Sequence, residues 1–464
     1  MNIEQIYTGC LAQGAYYIVS GNEAVIIDPL RETAPYVNRL KRDGVQLKFI
    51  LETHFHADFV SGHLDLSKAT GAPIVYGPNA KPSFEFYSAK DEELLSFGAC
   101  QIKVLHTPGH TMESTCFLLI NEEGKESALF SGDTLFIGDV GRPDLAQKAA
   151  SMTQEELAGT LFESLRNKIM PLSDEIVVYP AHGAGSACGK NMSKETFDFL
   201  GNQKQSNYAL RADMTKEEFI QEVTDGLQPP PTYFGQNVAM NKLGYQPIAE
   251  VMDRGLTPLS ADQLIALSDE ALVLDVRNAE SFAAGFIPGS IYIGLEGQFA
   301  PWVGALIPDV KQAIILVTAE GKEEEAVRRL SRVGYDNVLG YLNGGIHAWK
   351  GELDTIQRVE ASKLEGGITK GEVLIDVRKP GEYDVDHLEN VPNIPLDFIN
   401  ERMTEFPNDK SLILHCAGGY RSMIAASILK SRGFHQIKDV VGGFNALAKT
   451  SIPRVSQTCS KGLV

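Results

Sequence analysis

Thr53-His54-Phe55-His56-Ala57-Asp58-Phe59 is the stretch on which the reading of the chain turns. It closes the apolar run Leu47 to Thr53, which has the make-up of a strand, so two imidazoles two residues apart emerge where a strand gives way to a loop. Upstream, Tyr16 to Val19 and Ala24 to Asp28 flank Gly21-Asn22, a hairpin signal. Downstream, strand-like runs at Gln101 to Leu105, Thr115 to Ile120, Ala128 to Ser131 and Glu175 to Tyr179 each end in a loop rich in Gly, Pro or Asp. Those loops carry His110 in Thr107-Pro108-Gly109-His110-Thr111, Asp133 in Ser131-Gly132-Asp133-Thr134, and His182 in Tyr179-Pro180-Ala181-His182-Gly183. Helical periodicity covers Glu155 to Lys168 and Lys216 to Leu227, the latter opened by Thr215 as N-cap. A lone His-x-His would be read as a satisfied core or surface pair; the weight comes from the further loops.

Beyond the semi-rigid spacer Pro229-Pro230-Pro231 the character of the chain changes. Val273-Leu274-Asp275-Val276-Arg277 returns as Leu374-Ile375-Asp376-Val377-Arg378, Ile314 to Val317 as Leu412 to His415, and Gly344-Gly345 as Gly442-Gly443, displaced by 101, 98 and 98 residues. Three matches in order at nearly constant spacing define a repeat. Each copy alternates short apolar strands with helices such as Glu323 to Val333 and Arg421 to Ser431, the pattern of a parallel sheet with crossover helices. The expected organisation of the 464 residues is therefore a larger domain over 1–245 and two small α/β domains over 260–355 and 360–455. The balance of 42 basic against 60 acidic residues, a net charge of −18, argues against nucleic acid and anionic membrane as partners. With 6 cysteines, no basic and apolar leader at Met1 and no apolar run long enough to span a bilayer, the expectation is a cytoplasmic protein without a disulfide framework.

The four histidine and aspartate segments, in this order, resemble the metallo-β-lactamase superfamily, which implies an αββα sandwich with a metal site at the strand ends. Four loops in family order outweigh the reading of each histidine as a stray core group. In the dinuclear zinc hydrolases of that superfamily the first motif ends in Asp-His; here its last residue is Phe59, whose ring has no lone pair for a second metal. The resemblance then points to the persulfide dioxygenases, a branch near the glyoxalase II type with one non-haem Fe(II) per chain. Carried over by position, the iron ligands are His54, His110 and Asp133, leaving open positions for a sulfur substrate and O₂. His56, Asp58 and His182 become residues that orient ligands or substrate. Gly141-Arg142-Pro143-Asp144 resembles a Gly-Arg-x-Asp segment of the same branch. Arg142 is read either as a clamp for a substrate carboxylate or as a pin for its own loop through Asp144. Cys188, in a loop of small residues after His182, is read either as a thiol at the cavity or as a buried inert cysteine. Cys10, Cys100 and Cys116, at apolar strand-like positions, are structural, and Cys459 is incidental.

His415-Cys416-Ala417-Gly418-Gly419-Tyr420-Arg421-Ser422 follows an apolar strand and opens a helix. Backbone N–H groups and the positive end of the helix dipole would there stabilise a thiolate or persulfide on Cys416, with Arg421 adding positive charge. The segment resembles the active-site loop of rhodaneses, and the Asp-Val-Arg and Gly-Gly landmarks fit that family in both repeats. In the first repeat Thr318 stands opposite Cys416 and Glu323 opposite Arg421, so residues 260–355 read as an inactive pseudo-rhodanese. The domain order resembles bacterial persulfide dioxygenase–sulfurtransferase fusions. It implies oxidation of a small-thiol persulfide by O₂ to sulfite, and transfer of sulfur from Cys416 to sulfite as thiosulfate. A homo-oligomer is compatible with this reading. The alternatives are a dinuclear zinc thioester hydrolase of glyoxalase II type with a rhodanese passenger, and a non-enzymatic sulfur carrier.

Overall fold

The computed structural model describes residues 1–227 and 229–456; Cys459 lies outside the described residues. The chain divides into two units, Met1–Glu250 with Leu330–Gly334, and Val251–Arg329 with the remainder of the described chain.

The first unit holds two six-stranded sheets. One runs β1 (Asn2–Thr8), β2 (Gln13–Ser20), β3 (Glu23–Ile27), β4 (Gln46–Glu52), β5 (Ile74–Tyr76) and β6 (Tyr87–Ser88) in sequential order. The other is built from β7 (Leu94–Phe97), β8 (Cys100–His106), β9 (Thr115–Ile120), β10 (Glu126–Gly132), β11 (Val177–Pro180) and β12 (Asp198–Phe199), again with consecutive strands as neighbours. Side chains alternate across each strand and so serve two cores. Tyr16, Ile18, Val25 and Ile27 meet Phe97, Ile102, Val104, Phe117 and Phe130 between the sheets. Tyr17, Ala24, Ile26 and Ile50 face the other way, onto Tyr36 and Leu40 of the helix Ala34–Asp43 and Leu66 of the helix His63–Thr70. On the far face of the second sheet, Leu105, Leu118 and Leu129 pack on Ala158 and Leu161 of the helix Gln154–Ser164 and on Phe219 of the helix Lys216–Thr224. This is the expected αββα sandwich.

Several expectations hold in outline and shift in detail. The hairpin at Gly21-Asn22 forms with Val19 opposite Ala24. Thr215 caps its helix through a box with Glu218, but the helix stops at Thr224, three residues before Leu227. The helix expected over Glu155 to Lys168 runs regularly over Gln154–Ser164 and then loosens into a π turn, Leu165–Ile169. Cys100 and Cys116 are buried in the two cores, and burial pushes the Cys116 thiol up to about 11. Cys10, expected on a strand, lies half-buried in the turn after β1.

The second unit contains two parallel sheets. The first has the order β13 (Pro258–Leu259), β17 (Val338–Leu342), β16 (Ile314–Val317), β14 (Leu272–Asp275) and β15 (Ile291–Tyr292). The second has the order β18 (Gln357–Glu360), β22 (Ile437–Val441), β21 (Ser411–His415) and β19 (Glu372–Asp376), with β20 (Asp386–Leu388) and β23 (Arg454–Ser456) paired separately. The repeated Asp-Val-Arg has one physical cause in both copies. Arg277 forks onto Asp275 at 2.6–3.1 Å, and Arg378 onto Asp376 at 2.6–3.1 Å, each closing a buried charge at a strand end. No helix among the described residues is long and apolar enough to cross a membrane.

Candidate functional site

Every strand that ends in the first-unit motif loops delivers its side chain to one place. Thr53-His54 leaves β4, His110 sits between β8 and β9, Asp133 leaves β10 and His182 leaves β11. The ligand atoms of His54, His110 and Asp133 lie within 4.8 Å of one another, and all three side chains are buried. Their Nε2 atoms stand 3.8 Å (His54) and 3.5 Å (His110) from Asp133 Oδ2. His110 Nε2 and Asp133 Oδ2 are buried without a hydrogen-bond partner among the described residues. Buried polar atoms normally find one, and two orphaned atoms aimed at one point with a second imidazole form a donor set that fits a divalent first-row metal.

The remaining ring nitrogens show how that face is held. His110 Nδ1 donates to the Arg142 carbonyl at 2.8 Å, and His54 Nδ1 lies 3.0 Å from Thr53 Oγ1, which itself donates to Asp28 Oδ2 at 2.8 Å. Each contact fixes the tautomer that leaves Nε2 with its lone pair turned to Asp133. Gly141 makes room for this packing, since a Cβ there would sit 1.9 Å from the Asp133 carbonyl and 2.9 Å from His110 Nδ1. Arg142, expected as clamp or pin, forks onto Asp144 at 2.6 and 2.7 Å and donates to the Ala187 carbonyl.

His182 bridges two carboxylates, with Nδ1 2.8 Å from Asp133 Oδ1 and Nε2 2.8 Å from Asp58 Oδ2. Burial opposes its charged form, but Asp133 and Asp58 outweigh this and hold the imidazole well above its ordinary value. The Cys188 thiol joins Asp58 and His182 in a second buried group of donors. Burial, then the nearby carboxylates of Asp58 and Asp133, push that thiol well up. Phe59 is fully buried, its ring 4.3 Å from that of His56 and 6.4 Å from that of His182. His56 turns Nε2 to Asp28 Oδ1 at 3.0 Å and Glu52 Oε2 at 3.6 Å, a third buried group. Sequence reading missed Asp28 and Asn241. The latter donates to the carbonyls of His56 and Phe59 at 2.8 Å and accepts from the Ser61 amide, holding the motif loop in shape. A positive φ of 49° at Asp28 marks a strained strand end that residue type alone did not signal.

In the second unit, Cys416 follows β21 and faces the start of the helix Tyr420–Ser431. Its sulfur accepts from the Gly419 amide at 3.1 Å and lies 3.5 Å from Ser422 Oγ. Arg421 is forked onto Glu382 at 2.5 and 2.8 Å, so its charge is shared with a carboxylate. In the preceding repeat the equivalent position is closed by Thr318 donating to Glu323 at 3.0 Å. The two copies meet at the Cys416 loop: Tyr420 donates its hydroxyl to the Gly294 carbonyl at 2.7 Å.

A sandwich of two mixed sheets with histidine and aspartate loops at the strand ends defines a metallo-β-lactamase fold, and the comparisons with known proteins agree. The family model described as the metallo-beta-lactamase superfamily matches residues 8–182, and the rhodanese-like domain model matches twice, at 260–352 and 360–450. A solved metallo-beta-lactamase from Staphylococcus aureus superposes with a TM-score of 0.65 at 31% identity, covering 74% of this chain and 98% of that one. The hydroxyacylglutathione hydrolase of Tolumonas auensis is 35% identical over 171 residues, 36% of this chain and 60% of that protein. The mitochondrial persulfide dioxygenase ETHE1 of Homo sapiens is 33% identical over 162 residues, 34% of this chain and 59% of that protein. The chain thus spans about three fifths of the length of these two relatives. The chain belongs to the metallo-beta-lactamase superfamily and continues into two rhodanese-like domains.

Proposed function

We propose that the first unit oxidises the outer sulfur of a small-thiol persulfide to sulfite with O₂, using one Fe(II) held by His54, His110 and Asp133, and that Cys416 passes sulfane sulfur to sulfite as thiosulfate. The observation that carries this reading is the three-donor face beside a buried Phe59. Two imidazoles and one carboxylate suit iron with open positions, and the phenyl ring withholds a ligand that a dinuclear hydrolase needs. Iron bound there would supply the redox chemistry that joins a persulfide sulfur and O₂. In the overall balance, persulfide, O₂ and one water give thiol, sulfite and two protons, and a second persulfide with sulfite gives thiol and thiosulfate. The chain's own part is positional: Thr53 and the Arg142 carbonyl fix the two imidazoles, His182 holds Asp133, and Phe59 and the surrounding core exclude water. The relative named persulfide dioxygenase supports the reading.

The second reading, a dinuclear thioester hydrolase, is favoured by the buried group Asp58, His182 and Cys188, whose ligand atoms also lie within 4.8 Å, and by the relatives named hydroxyacylglutathione hydrolase. Metal analysis of protein purified without oxygen separates the two. The expected result is about one iron per chain with persulfide-dependent O₂ uptake; about two zinc ions with thioester hydrolysis and no O₂ uptake would overturn it.

On this reading the silent repeat has a use, because it abuts the Cys416 loop. A Cβ at Gly297 would sit 2.3 Å from the Tyr420 ring carbon Cζ. Gly297→Ala is expected to displace Tyr420 and slow sulfur transfer about tenfold, within the ~1–3 kcal/mol that overpacking costs. O₂ uptake should not change. A transfer rate equal to wild type would show that the contact does not position the loop.

A further inference from the structure

Ser422 has one hydroxyl proton and two acceptors. Its Oγ lies 2.6 Å from Asp439 Oδ1 and 3.5 Å from Cys416 Sγ. Asp439, on β22, and Ser422 are fully buried, and Cys416 is 1% exposed, so bulk water does not mediate between them. When the Cys416–Asp439 pair carries one proton, two arrangements satisfy all three groups. In one, the Cys416 thiol donates to Ser422 and Ser422 donates to an ionised Asp439. In the other, a protonated Asp439 donates to Ser422 and Ser422 donates to a Cys416 thiolate. The two differ by one proton moved along the line, which is the definition of a relay.

We infer that Ser422 and Asp439 form the path by which the Cys416 thiol loses its proton as it attacks sulfane sulfur. This rests on the reading of Cys416 as the sulfur carrier. The Cys416 S–H bond breaks as its proton bonds to Ser422 Oγ and the Ser422 hydroxyl proton passes to Asp439 Oδ1. The sulfur lone pair then bonds to the outer sulfur of the persulfide, whose S–S bond breaks with its electrons leaving on the small thiolate. The thiolate takes a proton from water and Asp439 returns one, so the exchange is proton-neutral and needs no oxidant or reductant.

The surroundings explain why such a path is needed. Arg421 shares its charge with Glu382 while still acting on Cys416 through space, and the Gly419 amide and Ser422 hydroxyl are the direct contacts of the sulfur. Asp439 itself faces Arg358 of β18, whose Nη2 is 3.3 Å from Oδ2, and feels Tyr292 of the preceding repeat. His415, beside Cys416 on β21, faces Asp376 and Arg378, and burial holds it below its ordinary value. Burial pushes the Asp439 carboxyl up to about 7, against the lowering by Ser422 and Arg358, which matches a group that exchanges a proton with a thiol near neutrality.

The test is the pH profile of Cys416 alkylation by iodoacetamide in the full chain, read by mass spectrometry on the Cys416 peptide. In the wild type, reactivity should rise through about pH 7 as the pair loses the first of its two protons. Asp439→Asn should move that rise toward the ordinary thiol value of about 8.5 and lower the rate at pH 7 about tenfold, with equal rates once the thiol ionises unaided. Ser422→Ala should do the same, and Ser422→Thr, which keeps the hydroxyl, should restore the wild-type profile. A purely electrostatic carboxylate predicts the opposite sign, because removing a negative charge beside a thiolate eases its ionisation. Faster alkylation in Asp439→Asn, or profiles that overlay, would overturn the relay. Loading wild-type protein with a small persulfide and weighing the same peptide separates this from the parent reading. No sulfur on Cys416 would sink the carrier role while leaving the alkylation result to stand or fall alone.

Discussion

His110→Ala is expected to lower bound iron to below about a tenth of the wild-type content and to reduce persulfide-dependent O₂ uptake by more than about 10²-fold. Loss of a group that merely orients a ligand already costs about 10–100-fold in metal affinity or activity. His110 is fully buried, and the Arg142 carbonyl holds its Nδ1, so Nε2 has no other employment than the point it shares with Asp133 Oδ2. Alanine leaves two donors and a cavity in place of three donors. Since a cavity alone destabilises, His110→Gln, which fills most of the volume, separates ligand loss from misfolding and should fail in the same way. Sulfur loading of Cys416 should persist in both variants. Iron retained at wild-type level, with O₂ uptake intact, would remove His110 from the ligand set.

The parts of this site that were legible share a property: each is a short segment whose meaning is local. His54, Asp133 and His182 come within two residues of a strand end and His110 within four, so a strand end and a metal-binding residue type are read together, and β9 runs over the expected Thr115–Ile120. What was not legible is the holding. Asn241 reaches back 182 and 185 residues to the carbonyls of Phe59 and His56, and Asp28 reaches Thr53 across neighbouring strands. No periodicity in one segment announces a partner that distant. Arg421 illustrates the same limit from the other side. Its position in the loop suggested a charge directed at sulfur, but Glu382, 39 residues upstream, takes both arms of its guanidinium. Two-residue strands such as β6 and β15 were also beyond reading, because a pair of residues cannot display an alternation.

Cys416→Ser should leave O₂ uptake unchanged while thiosulfate formation falls by more than about 10²-fold and sulfite accumulates in its place. A serine hydroxyl at this position keeps the size of the group and its contact with the Gly419 amide, but it is a far weaker nucleophile than a thiolate at neutral pH and cannot hold sulfane sulfur as a persulfide. The loop should therefore survive while its chemistry does not. The preceding repeat is a natural version of the same change, with Thr318 hydrogen-bonded to Glu323 where Cys416 and Arg421 stand in the second copy. The ratio of products is the decisive reading, since it follows sulfur independently of the rate of oxidation. Chemical reaction of sulfite with free persulfide sets a background, measured with the variant at several enzyme concentrations; thiosulfate that does not scale with enzyme belongs to that background. If Cys416→Ser yields the wild-type mixture in proportion to enzyme, sulfur reaches sulfite without Cys416, and the two activities share a chain without sharing a reaction.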